Sequence, residues 1–123
     1  MKIEKLKAFG NSSKLNDIAN ITEVSAVSNT WTIDLQGKAT KNFFIETLDT
    51  TAKTLAFANV PSNALVQVTI MMKYTNACAI TRPASVVWQN GIVPTFTVGK
   101  VYFTQYISKN GGTDWYASSV GAW

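Results

Sequence analysis

A chain of 123 residues, 46% hydrophobic and 15% charged, is long enough to close one hydrophobic core and too apolar to stay disordered. It has no histidine, one cysteine (Cys78), one arginine (Arg82) and seven carboxylates, which excludes imidazole chemistry, His/Cys metal centres and an internal disulfide. The formal charge of +4 is spread singly along most of the chain, and one guanidinium cannot supply the forks that clamp phosphates or read guanine, so no nucleic-acid partner is expected.

The first cations, Lys2, Lys5, Lys7 and Lys14, are the exception to that even spread. No apolar core follows the charges of Met1 to Lys7, and no apolar run reaches the roughly 18 residues of a membrane span, so a cytoplasmically made chain without signal or membrane partner is expected. Residues 1–29 are polar and rich in small side chains. They read as an N-terminal arm that orders on docking, its four lysines facing an acidic surface. Ser13 to Ile21 has room for one helical turn, capped by Asn16 or Asp17, before a β-branched run stops it.

From Thr30 the hydrophobic period is two, which places a single β domain over residues 30–123. Trp31, Ile33 and Leu35 share one face, and Gln36-Gly37-Lys38 turns the chain. Phe43 to Leu48 and Lys53 to Phe57 are the next strands, joined by the turn Asp49 to Ala52. After the loop Asn59-Val60-Pro61-Ser62-Asn63, Ala64 to Tyr74 gives the longest run, apolar on both faces around Leu65 to Met72, as for a central strand covered on both sides. Ala79 to Thr81 and Val86 to Trp88 are short strands flanking Arg82-Pro83; Lys100 to Ser108 is long, and Thr113 to Ser118 closes the sheet. Seven or eight strands without intervening helices predict an all-β fold, an antiparallel, jelly-roll-like β-sandwich behind an extended arm.

The carboxylates of this domain, Asp34, Glu46, Asp49 and Asp114, form no pair suited to flank a glycosidic bond, and Cys78 between two alanines reads as a small packing residue. Neither enzymatic activity nor a cofactor is expected.

The order Thr54-Leu55-Ala56-Phe57, Asn59-Val60-Pro61, a long apolar strand, Val86-x-Trp88-x-x-Gly91-x-x-Pro94, Gly99-Lys100-Val101-Tyr102 and Gly111-Gly112-Thr113-x-Trp115-Tyr116 resembles the C-terminal β-sandwich of bacteriophage fibres, neck appendages and other virion-surface proteins. The resemblance runs from about Asn42 to Ala117. It implies a non-enzymatic, homotrimeric virion component of jelly-roll type, a capsid decoration, head fibre or tail appendage partnered by other virion proteins. The arm then anchors to the virion through Lys2, Lys5, Lys7 and Lys14, and Val68, Ile70, Met72 and the C-terminal Trp123 become the candidate trimer interface.

The aromatic residues keep a second reading open, a carbohydrate-binding module or a receptor-binding tip for host glycans. Trp88, Tyr102, Tyr106, Trp115 and Tyr116 are flat enough to stack on sugars and equally suited to packing. Trp115 and Tyr116, after an exposed Gly-rich turn, are the candidate glycan-binding pair, with Asn90 as polar partner; Trp88 is assigned to packing.

Overall fold

The computed structural model describes residues 20–123. They form nine strands: β1 Ile21–Glu23, β2 Thr30–Asp34, β3 Thr40–Glu46, β4 Lys53–Ala58, β5 Val66–Tyr74, β6 Ile80–Thr81, β7 Val86–Trp88, β8 Lys100–Ser108 and β9 Trp115–Gly121, with a short 3-10 turn at Gln89–Gly91. The all-β class follows from period-two runs of β-branched and aromatic residues. Burial along β3 and β5 alternates residue by residue, as a pleated strand with one face on the core requires.

From β1 to β7, successive strands alternate between two sheets. One sheet has the order β1-β3-β5-β8-β9-β7, the other β2-β4-β6. Each passage through both sheets makes one coil, and the next coil lands on it in parallel: Ile21 stacks on Asn42 and Asn42 on Thr69, while across the molecule Thr30 stacks on Thr54 and Thr54 on Thr81. Three such coils form a solenoid-like stack, finished by β8, antiparallel to β5, and β9, antiparallel to β8. This corrects the expected antiparallel jelly-roll pairing, since five of the seven strand pairs are parallel. The turns at residues 36–38 and 49–52 are corners between sheets rather than hairpins. A chain that crosses to the other sheet at each corner returns running in its original direction. Among the described residues pairing begins at Ile21, inside the stretch read as the arm; Lys2, Lys5, Lys7 and Lys14, the expected anchors, lie outside the described residues.

Both corners use the same device. Asp34 accepts the Gln36 N–H at 2.8 Å, and Asp49 accepts the Thr51 N–H at 2.9 Å, so a short carboxylate closes each turn on its own backbone. A buried lysine then seals each one: Lys41 donates to the Asp34 carbonyl at 3.3 Å and to Gln36 Oε1 at 3.1 Å, and Lys53 donates to the Asp49 carboxylate and, at 2.9 Å, to the Thr51 carbonyl. Hydrogen bonding holds both carboxyls below the ordinary aspartate range, Asn59 being the largest influence on Asp34 and Lys53 on Asp49.

The core lies between the sheets. Trp31, Ile33, Leu35 and Leu55 meet Phe43, Ile45, Val68, Ile70 and Met72. Val68, Ile70 and Met72 are thus enclosed within their own chain, which corrects their assignment to a trimer interface: they occupy the inward parity of β5. The three-stranded sheet is too narrow to cover all six strands. Beyond β6, aromatic side chains do the covering: Phe57 of β4 stacks on Trp115 with centroids 4.3 Å apart and meets Tyr106 edge-on at 5.2 Å, and Trp88 packs edge-on against Tyr106.

Two outcomes follow. Trp115→Ala removes a buried indole and its stack, and is expected to lower unfolding free energy by about 3–5 kcal/mol in a urea titration. A loss below about 1 kcal/mol would contradict this packing role. Because Asp34 and Asp49 have lowered folded-state values, the stability they contribute is complete above the ordinary aspartate pKa of about 3.9 and is lost as pH falls through the lowered values. The urea midpoint should therefore drop between pH 5 and the acid limit, less steeply in a chain carrying Asp34→Asn and Asp49→Asn.

Candidate functional site

The outward face of the six-stranded sheet carries the most unusual surface. Its side chains form cross-strand rows fixed by register. One row is polar: Asn42, Thr69, Gln105 and Ser118 lie side by side across β3, β5, β8 and β9. The row beside it is apolar: Phe44, Met71, Phe103 and Val120. On the other flank Ile107 pairs with Tyr116, and Tyr116 with Val87. A shallow groove of about 280 Å³ runs over Thr69, Phe103, Gln105 and Ser118, and another of about 340 Å³ over Val87, Gln89, Ile107 and Tyr116; Ser118 borders both.

Trp123 completes the apolar row. Its N–H donates to the Val101 carbonyl at 3.2 Å and its carbonyl accepts the Val101 N–H at 2.9 Å, so Trp123 pairs with β8 one residue out of the β8–β9 register, past a bulge at Ala122. The indole meets Phe103 edge-on at 5.5 Å and lies across Gly121, whose φ of +113° and lack of a side chain leave room for the ring. The ring is nonetheless 66% exposed. Trp123 is a fixed aromatic facing outward.

The predicted glycan-binding residues separate. Tyr116 faces outward and is 55% exposed, whereas Trp115, its neighbour on the other side of the pleat, is 1% exposed and stacked on Phe57. That corrects the assignment of Trp115: it is a core residue. Tyr102 and Tyr106 also point inward, as does Trp88, in keeping with the packing role read for it. Asn90 sits in the turn after β7 with φ of +58°, exposed, and does not line the groove beside Tyr116. The Gly111-Gly112 turn serves internal packing. A side chain on Gly112 would meet the Trp115 ring at 3.3 Å, and Ser108 Oγ accepts the Gly112 N–H at 3.0 Å.

A third concavity, about 300 Å³, opens at the β1 end of the stack, with Glu23, Glu46 and Asp49 on its rim and Phe44, Leu48 and Trp31 among its walls. Asp49 is engaged by Lys53, and Glu46 accepts from the Thr75 hydroxyl at 2.7 Å. No group of three or more metal-ligating side chains occurs among the described residues. Cys78 is buried, and burial pushes its thiol up from the ordinary value, away from the reactive thiolate. Burial likewise raises Tyr106, against the opposing charge of Arg82.

The rows are not legible in the sequence, because a row needs the partner strand. Searched against known proteins, the chain matches no family model, no curated protein and no solved structure.

Proposed function

We propose that this chain is a non-enzymatic bacteriophage structural protein: a small homotrimeric component of the virion surface, a capsid decoration, head fibre or tail appendage attached through its N-terminal segment. The virion assignment rests on the resemblance of the ordered motifs between Asn42 and Ala117. The observation that carries self-association is the outward row Phe44, Met71, Phe103 and Val120 ending on Trp123. Val120 is 62% exposed and Trp123 66%, and a rigid exposed tryptophan beside further apolar side chains is the usual makeup of a contact hot spot. A second copy of the same chain is the occupant, because a trimer brings three such rows together around one axis. The residues Val68, Ile70 and Met72 have no part in it.

A second reading has one observation in its favour. Exposed Tyr116 lies next to the polar row of Gln105 and Ser118, a ring with hydroxyl and amide groups beside it, as a sugar face requires. Each such contact is weak, and three copies on one trimer would act through avidity. Host-glycan recognition then belongs to Tyr116, without Trp115.

Sedimentation of the purified chain should give a trimer, and Met71→Gln combined with Trp123→Ser should weaken association by about 2 kcal/mol or more, roughly 30-fold, with an unchanged far-ultraviolet spectrum. A wild-type monomer at micromolar concentration would refute the trimer. Removing residues 1–19 spares β1 and should leave the domain folded while abolishing incorporation into phage particles; removing residues 1–29 takes β1 away and should also lower stability. Particles that incorporate the shorter truncation normally would end the anchoring proposal.

A further inference from the structure

Arg82 follows β6 and lies over the part of the six-stranded sheet that the smaller sheet leaves uncovered. Its guanidinium carbon is 4.9 Å from the ring centroid of Trp88 and 5.5 Å from that of Phe96, and its Nε donates to the Tyr106 hydroxyl at 3.2 Å. Two rings and one hydrogen bond therefore fix a half-buried side chain that is ordinarily mobile. They engage only one of its five N–H donors.

Among the described residues no carboxylate lies within salt-bridge distance of Arg82. No side-chain nitrogen among the described residues is enclosed without an acceptor, so the two terminal nitrogens of Arg82 reach the exterior. The aspartates of the described residues have partners elsewhere: Asp34 holds Gln36 and Asn59, Asp49 holds Lys53, and Asp114 accepts from Asn110. Beside the guanidinium a cavity of about 20 Å³ enters the core, room for one or two waters, with apolar walls that include Ile45, Ile70 and Phe96.

We propose that Arg82 is the recognition group of a binding site for a small monocarboxylate. The terminal nitrogens form a planar fork that matches the two coplanar oxygens of a carboxylate. The site carries a single positive charge with no second cation in the cluster, which suits a monoanion better than a doubly charged phosphate. The rings keep water from one side of the pair, which strengthens its attraction, and the fixed arginine loses little freedom on binding. The carboxylate meets the fork from the exterior, where the terminal nitrogens are open, and the remainder of the acid stays in solvent. The site is independent of the outward face and of the virion assignment.

The test is a titration of the complete chain with acetate and with glucuronate, following the Arg82 Nε–H resonance by NMR, with glucose and inorganic phosphate as controls. Both carboxylates should shift the resonance saturably with roughly millimolar dissociation constants, and glucose should leave it unmoved. Saturation by glucuronate well below the acetate concentration would identify an acidic sugar as the preferred source; equal saturation would identify a simple carboxylic acid. Calorimetry should show at least tenfold weaker binding by Arg82→Lys, whose ammonium offers no fork. Tyr106→Phe, which keeps the ring and loses only the hydroxyl that orients Nε, should weaken binding severalfold and covers the case in which Arg82→Lys fails to fold. The proposal is overturned by the absence of saturation with either carboxylate, by phosphate binding more tightly than both, or by unchanged affinity in the variants.

Discussion

The contact between Phe57 and Trp115 holds this architecture together. Phe57 belongs to the second coil and Trp115 to the last strand, and their stacked rings tie the three-stranded sheet to the half of the large sheet that it does not cover. Without an aromatic bridge there, the inner faces of β8 and β9 around Tyr106 would be open to water. The surrounding features accommodate that stack. Gly112 clears the indole, Ser108 fixes the turn leading to it, and Tyr106, whose hydroxyl accepts from Arg82, closes its edge.

The corners meet a different constraint, the need to reverse the chain between sheets without abandoning backbone polar groups at the edge of a core. Aspartate accepts the nearest free N–H, and a lysine with a buried stem satisfies a carbonyl that the turn leaves behind. The long lysine chain suits this place because its methylenes can lie among apolar residues while the ammonium stays at the corner. Two of the chain's scarce carboxylates are therefore structural, which explains why Asp34 and Asp49 have hydrogen-bonded partners within their own turns.

Much of the strand content could be read from alternation alone, including the inward parity of Trp31, Ile33 and Leu35 and the length of β5 and β8. Direction of pairing could not. A period of two specifies which side chains share a face and says nothing about whether the neighbour runs parallel. The coil repeat was also hidden: Ile21, Asn42 and Thr69 occupy equivalent places at unequal intervals and have nothing chemical in common. Trp115 was misplaced for a local reason. It follows a Gly-rich turn, which suggests exposure, yet the pleat sends it inward and its neighbour Tyr116 outward. The inner face of β5 is apolar, with Val68, Ile70 and Met72 in the core, but its outer face carries Gln67, Thr69, Met71 and Lys73, so Met71 alone is apolar there and joins the surface row.

The lengths of the outermost strands bear on how crowded copies behave. At three of the sheet margins the terminal strand is very short: β1 and β7 have three residues each, and β6 has two before Arg82-Pro83. Brief margins of this kind give a stray chain too few backbone groups to grip, a common defence against fibril growth. The fourth margin, β2, is five residues long, and among the described residues no strand covers its far side. A misfolded or partly synthesised neighbour would therefore add most readily along Thr30 to Asp34, so resistance to aggregation in this molecule depends chiefly on what lies against β2.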